Sequence, residues 1–128
     1  MHRSRLAGFI IDCDSDDLDA ATRFWSQALG YPLRPGDEEA DGKYRELDTR
    51  ERDLYLEVQQ VAPPSRIHLD IEADDIEAEV ARLEALGARR VGYVRTWCVM
   101  EAPTGQRFCV VRAQTGNFDA TANEWGGE

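Results

Sequence analysis

Asp16-Asp17-Leu18-Asp19-Ala20, leading to Ala28-Leu29-Gly30, returns 58 residues later as Asp74-Asp75-Ile76-Glu77-Ala78, leading to Ala85-Leu86-Gly87. Each copy opens on carboxylates suited to cap a helix and closes on a glycine suited to stop one. Between these signals Leu18, Ala21, Trp25 and Leu29 recur at helical spacing, as do Ile76, Val80, Leu83 and Leu86 in the second copy. Asp16 is expected to cap the first helix, and Asp74 with Glu77 three residues on to form a capping box on the second. A chain that repeats such a unit reads as two similar halves, and function is expected at their junction, where equivalent positions can face each other.

Working outward, each copy is preceded by a strand pattern. Leu6 to Cys13 is an apolar run carrying the pair Ile10-Ile11, and Arg66 to Glu72 alternates, with Ile67, Leu69 and Ile71 against His68, Asp70 and Glu72. After the first helix, Pro32 to Glu39 reads as a short edge segment running into an acidic turn. Strands are expected over Tyr44 to Asp48 and Leu54 to Val61, separated by the polar turn Thr49 to Asp53. After the second helix come Arg90 to Tyr93, Trp97 to Glu101 and Arg107 to Arg112, with Pro103-Thr104-Gly105 turning the last hairpin. Ala62-Pro63-Pro64-Ser65 excludes both helix and central strand and reads as the linker between halves. The expected layout is one domain over 1–128: a module at 5–61, the linker at 62–65, a second module at 66–113, and a polar tail at 114–128. Phe118 and Trp125 are expected to pin that tail to the body or to a partner subunit.

Composition narrows the class. The 128 residues are 42% hydrophobic and 31% charged, in the range of globular domains. No apolar run approaches the roughly 18 residues of a membrane span. A net charge of −10 argues against a nucleic-acid partner, because phosphate recognition relies on clustered Lys and Arg. The basic start Met1-His2-Arg3-Ser4-Arg5 lacks a signal-peptide core, so a cytoplasmic location is expected, with His2 in a mobile terminus. Cys13, Cys98 and Cys109 form no paired motif, and their odd number argues against a disulfide framework. Cys13 and Cys98 read as small buried hydrophobes.

The paired strand–helix–three-strand pattern resembles the vicinal oxygen chelate superfamily, which includes glyoxalase I, bleomycin-resistance proteins and extradiol dioxygenases. Ile10-Ile11-Asp12-Cys13, the helix end Arg23 to Gly30, Ile67-His68-Leu69-Asp70-Ile71 and Ala102 to Val111 look like its glyoxalase-like branch over about residues 5 to 113. The resemblance implies an α+β fold of two βαβββ modules forming a curled mixed sheet, a cup, with the helices packed outside. It also implies a homodimer and a small organic ligand held in the cup. Metal-dependent members place one ligand on the first strand of each half and a Glu on the last strand of each half. Carried onto this chain, those positions are Ile10 and His68 on the first strands, and Glu57 and Cys109 on the last.

Ile10 has no donor atom, and Cys109 stands where a Glu is expected, so no cofactor is expected and the full metal site is absent. If a divalent metal binds, its ligands are His68, Glu57 and Cys109, with Asp12 or Asp70 as further donors; the thiolate would favour zinc. Without a metal, His68 and Glu57 are the candidate acid/base pair, since a His titrates near neutrality and a carboxylate can orient it. Ile10, Asp12, Asp70, Tyr93, Trp97 and Cys109 are the expected ligand-binding residues, the two aromatics serving as stacking walls. Three functional readings follow: a glyoxalase-like small-molecule binder or enzyme without the full metal site, a metal-dependent lyase or isomerase of glyoxalase type, and a bleomycin-type drug-sequestering protein.

Overall fold

The computed structural model describes residues 1–36, 42–49, 54–62 and 64–126. The elements run β1 (His2–Asp14), α1 (Leu18–Leu29), β2 (Tyr44–Leu47), β3 (Tyr55–Val61), β4 (Arg66–Ala73), α2 (Ile76–Ala85), β5 (Arg89–Val94), β6 (Trp97–Glu101), β7 (Arg107–Arg112), α3 (Phe118–Thr121) and β8 (Asn123–Trp125). This is the mixed α+β class read from the sequence. Most of the acidic turn after Gly36 and of the turn between β2 and β3 lies outside the described residues. So does Pro63 of the linker. The chain divides into two compact units, Phe9–Ile67 and Met1–Gly8 with His68–Glu128, so β1 runs from one into the other at Gly8/Phe9.

In the Phe9–Ile67 unit β3 lies between β1 and β2, and β2 pairs antiparallel with β3, Glu46 opposite Glu57. Leu33 makes an isolated antiparallel bridge to Leu47 on the outer side of β2. That bridge is what remains of a fourth strand, because Pro32 and Pro35 remove donors on either side of it. Leu18 of α1 packs on Leu47 and Val58, flanked by Cys13, Trp25 and Leu56.

The second unit repeats the order with full strands: β4, β7, β6, β5. Asp70 lies opposite Cys109 in the parallel β4–β7 pair, and Val99 lies opposite Cys109 in the antiparallel β6–β7 pair. Val80 and Leu83 of α2 pack on Ala73, Cys98, Met100 and Val110, with Ile71 and Phe108 at the margin. Strand alternation therefore turns His68, Asp70, Val99 and Cys109 to the face away from α2.

Both helices begin one residue later than the carboxylates chosen from the sequence. Asp17 accepts from the Ala20 amide at 3.0 Å, and Asp75 accepts from the Ala78 amide at 3.1 Å. The N-cap carboxylate must reach the amide three residues on, and Asp17 and Asp75 each hold that position. Asp74 accepts instead from the Arg3 amide at 2.8 Å, and Glu77 faces Arg90 and the Tyr93 hydroxyl, so no capping box forms. Gly30 stops α1 in the left-handed region at φ +80°, its amide donating to Ser26 O. Gly87 does so after α2 at φ +112°, and a Cβ there would stand 3.1 Å from Pro103 Cγ.

The C-terminal segment, expected as a polar tail pinned through Phe118 and Trp125, is held by both, with Phe118 buried and Trp125 bonded to Ser4, and it also forms a strand. Residues Asn123–Trp125 pair antiparallel with His2–Ser4, which draws the start of β1 four residues earlier than Leu6. Glu72, wholly buried, accepts from the Gln114 and Thr115 amides at 2.8 and 3.0 Å, and from the Thr115 hydroxyl. Arg5 lies 3.3 Å from Glu72 and donates to Asn117 and Thr121. His2, expected to be mobile, is 8% exposed with Nε2 2.7 Å from Glu79 Oε1. Arg82 donates twice to Glu79, at 2.9 and 2.8 Å, while its guanidinium lies 3.8 Å from the centre of the Trp125 ring. The Trp125 indole donates to Ser4 Oγ at 3.0 Å. Burial alone would raise the Glu79 carboxyl, but hydrogen bonds from Arg82, His2 and Ser4 outweigh it and hold the group below the usual range.

Candidate functional site

Among the described residues, His68, Asp70 and Cys109 form a cluster whose donor atoms all lie within 4.8 Å of one another. The backbone sets this up. His68 and Asp70 are two apart on β4 and so share a face, while the parallel register puts Cys109 beside Asp70. His68 Nε2 is 3.5 Å from Asp70 Oδ1, and both side chains are largely sheltered, at 13% and 9% exposed. Cys109 is partly buried between Phe108 and Val110, which contribute to the α2-side core. An imidazole, a carboxylate and a thiol thus meet on a sheltered sheet face, a combination able to bind an ion, pass a proton or fix a polar ligand atom.

The other sequence-derived candidates separate into those on this face and those elsewhere. Trp97 is on the same face of β6 as Val99, which sits opposite Cys109. Tyr93 is not. It pairs with Cys98 on the α2 side, where its hydroxyl donates to Glu77. That hydrogen bond, followed by burial and the nearby Glu77 charge, pushes the phenol up to about 12. Alternation across a short strand was readable, but the irregularity in β5 between Arg90 and Gly92 shifts the phase of Tyr93.

Ile10, Asp12 and Glu57 belong to the other unit. Glu57 lies between Leu56 and Val58, which pack on the α1 side, so its carboxylate faces away from α1. Ile10 and Asp12 are each 2% exposed. Asp12 lies 3.5 Å from Arg66 Nε, a contact the sequence reading missed because the two residues sit on either side of the linker. A cavity of about 460 Å³ in this unit is lined by Ile11, Asp12, Cys13, Trp25, Arg66 and Ile67. Trp25, part of the apolar stripe of α1 that packs on Leu47 and Val58, thus also has one side on open space.

The three thiols differ in kind. Burial raises the Cys98 thiol within the α2-side core, and burial likewise raises Cys13, against a hydrogen bond with Trp25. Both are therefore poor thiolates. Cys109 is the one that shares a face with a His and a carboxylate.

The usual four-ligand metal centre implied by the resemblance does not fit this chain, since Ile10 offers no donor and is enclosed. The second half supplies nitrogen, oxygen and sulfur donors of its own, a set that suits zinc better than magnesium or manganese.

Residues 9–111 match the family model described as a glyoxalase-like domain. No curated protein matches the chain. Among solved structures, an extradiol ring-cleaving dioxygenase from B. fuscum is 16% identical with a TM-score of 0.57, over 94% of this chain and 34% of that one. A hypothetical protein from Bacillus halodurans C-125 is 16% identical with a TM-score of 0.57, over 89% of this chain and 99% of that one. Streptomyces coelicolor methylmalonyl-CoA epimerase is 15% identical with a TM-score of 0.51, over 88% and 97%. The chain spans about a third of the length of the dioxygenase. These likenesses establish a common fold. No helix among the described residues is long and apolar enough to cross a membrane.

Proposed function

Because the chain belongs to the glyoxalase-like domain family, we propose that it binds a small organic molecule on the face of its second half, with His68, Asp70 and Cys109 as polar contacts and Trp97 as an aromatic wall. The convergence of the first three side chains within 4.8 Å carries this reading. Small-molecule sites are mostly apolar surfaces bearing a few convergent polar groups; here Val99 sits opposite Cys109, with Trp97 two residues further along the same face of β6. With no ion bound, the His68 imidazole can exchange a proton with a ligand oxygen, and Asp70, 3.5 Å away, can orient the ring. Glu57, the other candidate for acid/base work, is not required for this arrangement. A cytoplasmic homodimer belongs to the same proposal.

The test is a thermal-shift and calorimetric panel of catechols, CoA thioesters and cationic bleomycin-type drugs. At least one class is expected to stabilise the protein, and His68→Ala to weaken its binding by about tenfold or more, the loss of one charge-assisted hydrogen bond. Binding that is indifferent to both His68→Ala and Asp70→Asn, or no binding by any class, would sink the proposal. The net charge of −10 together with Trp97 favours a second reading, sequestration of a cationic drug. It is recognised by binding that falls in Trp97→Ala but not in His68→Ala.

A further inference from the structure

We propose that His68, Asp70 and Cys109 form a zinc site built from the second half alone, a proposal that rests on the reading of this face as the polar centre of the protein. The arrangement implied by the resemblance draws donors from both halves. Here Ile10 removes one of those positions, and Asp70, a residue outside that pattern, supplies a replacement from the same strand as His68.

Three observations support it. The donors are one imidazole, one carboxylate and one thiol, each an ordinary zinc ligand, and three protein donors leave a fourth position for water or a ligand. Their spacing is near what the ion needs. Zinc bonds of about 2.0–2.3 Å place tetrahedral ligands about 3.3–3.8 Å apart. His68 and Asp70 already stand 3.5 Å apart, and the widest separation in the set is below 4.8 Å. Side-chain rotation of about an ångström closes the remainder without moving either strand. Finally, the parallel β4–β7 register fixes Asp70 beside Cys109 through backbone hydrogen bonds, so the frame exists before an ion arrives. Asp70 is buried and His68 and Cys109 are partly so, and reduced solvent screening there strengthens attraction to a divalent charge.

The test uses the full chain freed of metal with a chelator and then titrated with zinc, and separately with cobalt as a coloured stand-in. One ion per chain is expected, with an intense thiolate-to-cobalt absorption that disappears in Cys109→Ser. His68→Ala and Asp70→Asn should weaken zinc by roughly tenfold or more, while Glu57→Gln leaves both stoichiometry and spectrum unchanged. Circular dichroism of each variant checks that it is folded. Should Cys109→Ser fail to fold, zinc protection of the wild-type Cys109 thiol from alkylation, mapped by mass spectrometry, gives the same information. The absence of a stoichiometric ion in the folded wild type, an unprotected Cys109, or binding that depends on Glu57 and not on Cys109 would each overturn the proposal. The ligand panel reads independently: ligand binding by a folded chain that takes up no zinc removes this inference alone, and zinc uptake without binding of any ligand class removes the functional proposal alone.

Discussion

The helices α1 and α2 share their caps, their apolar stripe and their glycine stops, yet their surfaces differ from the second turn onward. Fifty-eight residues before Glu79, Arg82 and Glu72 stand Ala21, Phe24 and Asp14. The second-half residues are engaged in a buried ionic network that holds the N-terminal start of β1 and the C-terminal strand β8. In the first half Phe24 is 61% exposed, and its main ring contact is Trp25 at 5.1 Å between centroids. The sheet faces differ in the same way: Ile10 answers His68, and Glu57 answers Cys109. What duplication preserves is the part that makes a helix pack on a sheet, which depends on a few apolar and capping positions. The other positions are free to diverge, and here one half has taken both the polar cluster and the clamp on the chain ends.

The comparison breaks most visibly at Glu79. Glu79→Ala leaves His2 and Arg82 without their shared carboxylate and should destabilise by about 3–5 kcal/mol in urea unfolding, whereas Phe24→Ala on the matching surface should stay within about 0.5 kcal/mol. Acid sharpens the same contrast. The Glu79 carboxyl is held below its ordinary value, so its contribution is complete above the usual glutamate range and is lost as pH falls through the lowered value. Wild type should therefore lose stability on acidification below about pH 4.3 more steeply than Glu79→Gln, as read from melting temperatures across that range.

The glycine stops form the next contrast. Gly30 has nothing within 4 Å of a Cβ position, so Gly30→Ala should cost only the left-handed backbone penalty of about 1 kcal/mol. Gly87→Ala adds a contact with Pro103 at 3.1 Å and should cost about 2 kcal/mol or more. Equal losses would mean that Pro103 gives way freely. The smallest effects concern the caps. Asp17→Ala and Asp75→Ala should each cost about 1 kcal/mol, and Asp16→Ala close to none. A larger loss at Asp16 than at Asp17 would return the cap to the residue first chosen from the sequence.

The fold was largely legible because its signals are local. Helical spacing, glycine stops and strand alternation at Ile71 and Val110 report which face meets the helix, whatever lies further along the chain. The caps slipped by one because Asp16-Asp17 and Asp74-Asp75 offer adjacent carboxylates, and only backbone torsion selects between them. His68 and Cys109 could be matched to a family pattern. Asp70 was named among ligand-binding residues, but its place beside Cys109 depends on the parallel register, which no local pattern reports. Tyr93 went to the opposite face because of an irregularity in β5. Gln114, Gly116, Asn117 and Asn123 give the tail its polar pattern, yet Asn117, Asn123 and the neighbouring Thr115 serve as strand partners and hydrogen-bonding groups for buried charges.

The duplicated α+β layout could be read from the residues alone, since capping, periodicity and turn chemistry act over a few residues and survive duplication; the glyoxalase-like type came from the resemblance of its motifs. The meeting of His68, Asp70 and Cys109, and the clamping of His2 and Trp125 beside Glu79 and Arg82, came from the folded chain. Those partners are tens of residues apart, and strand register, set by backbone hydrogen bonds between distant segments, is what brings them within reach.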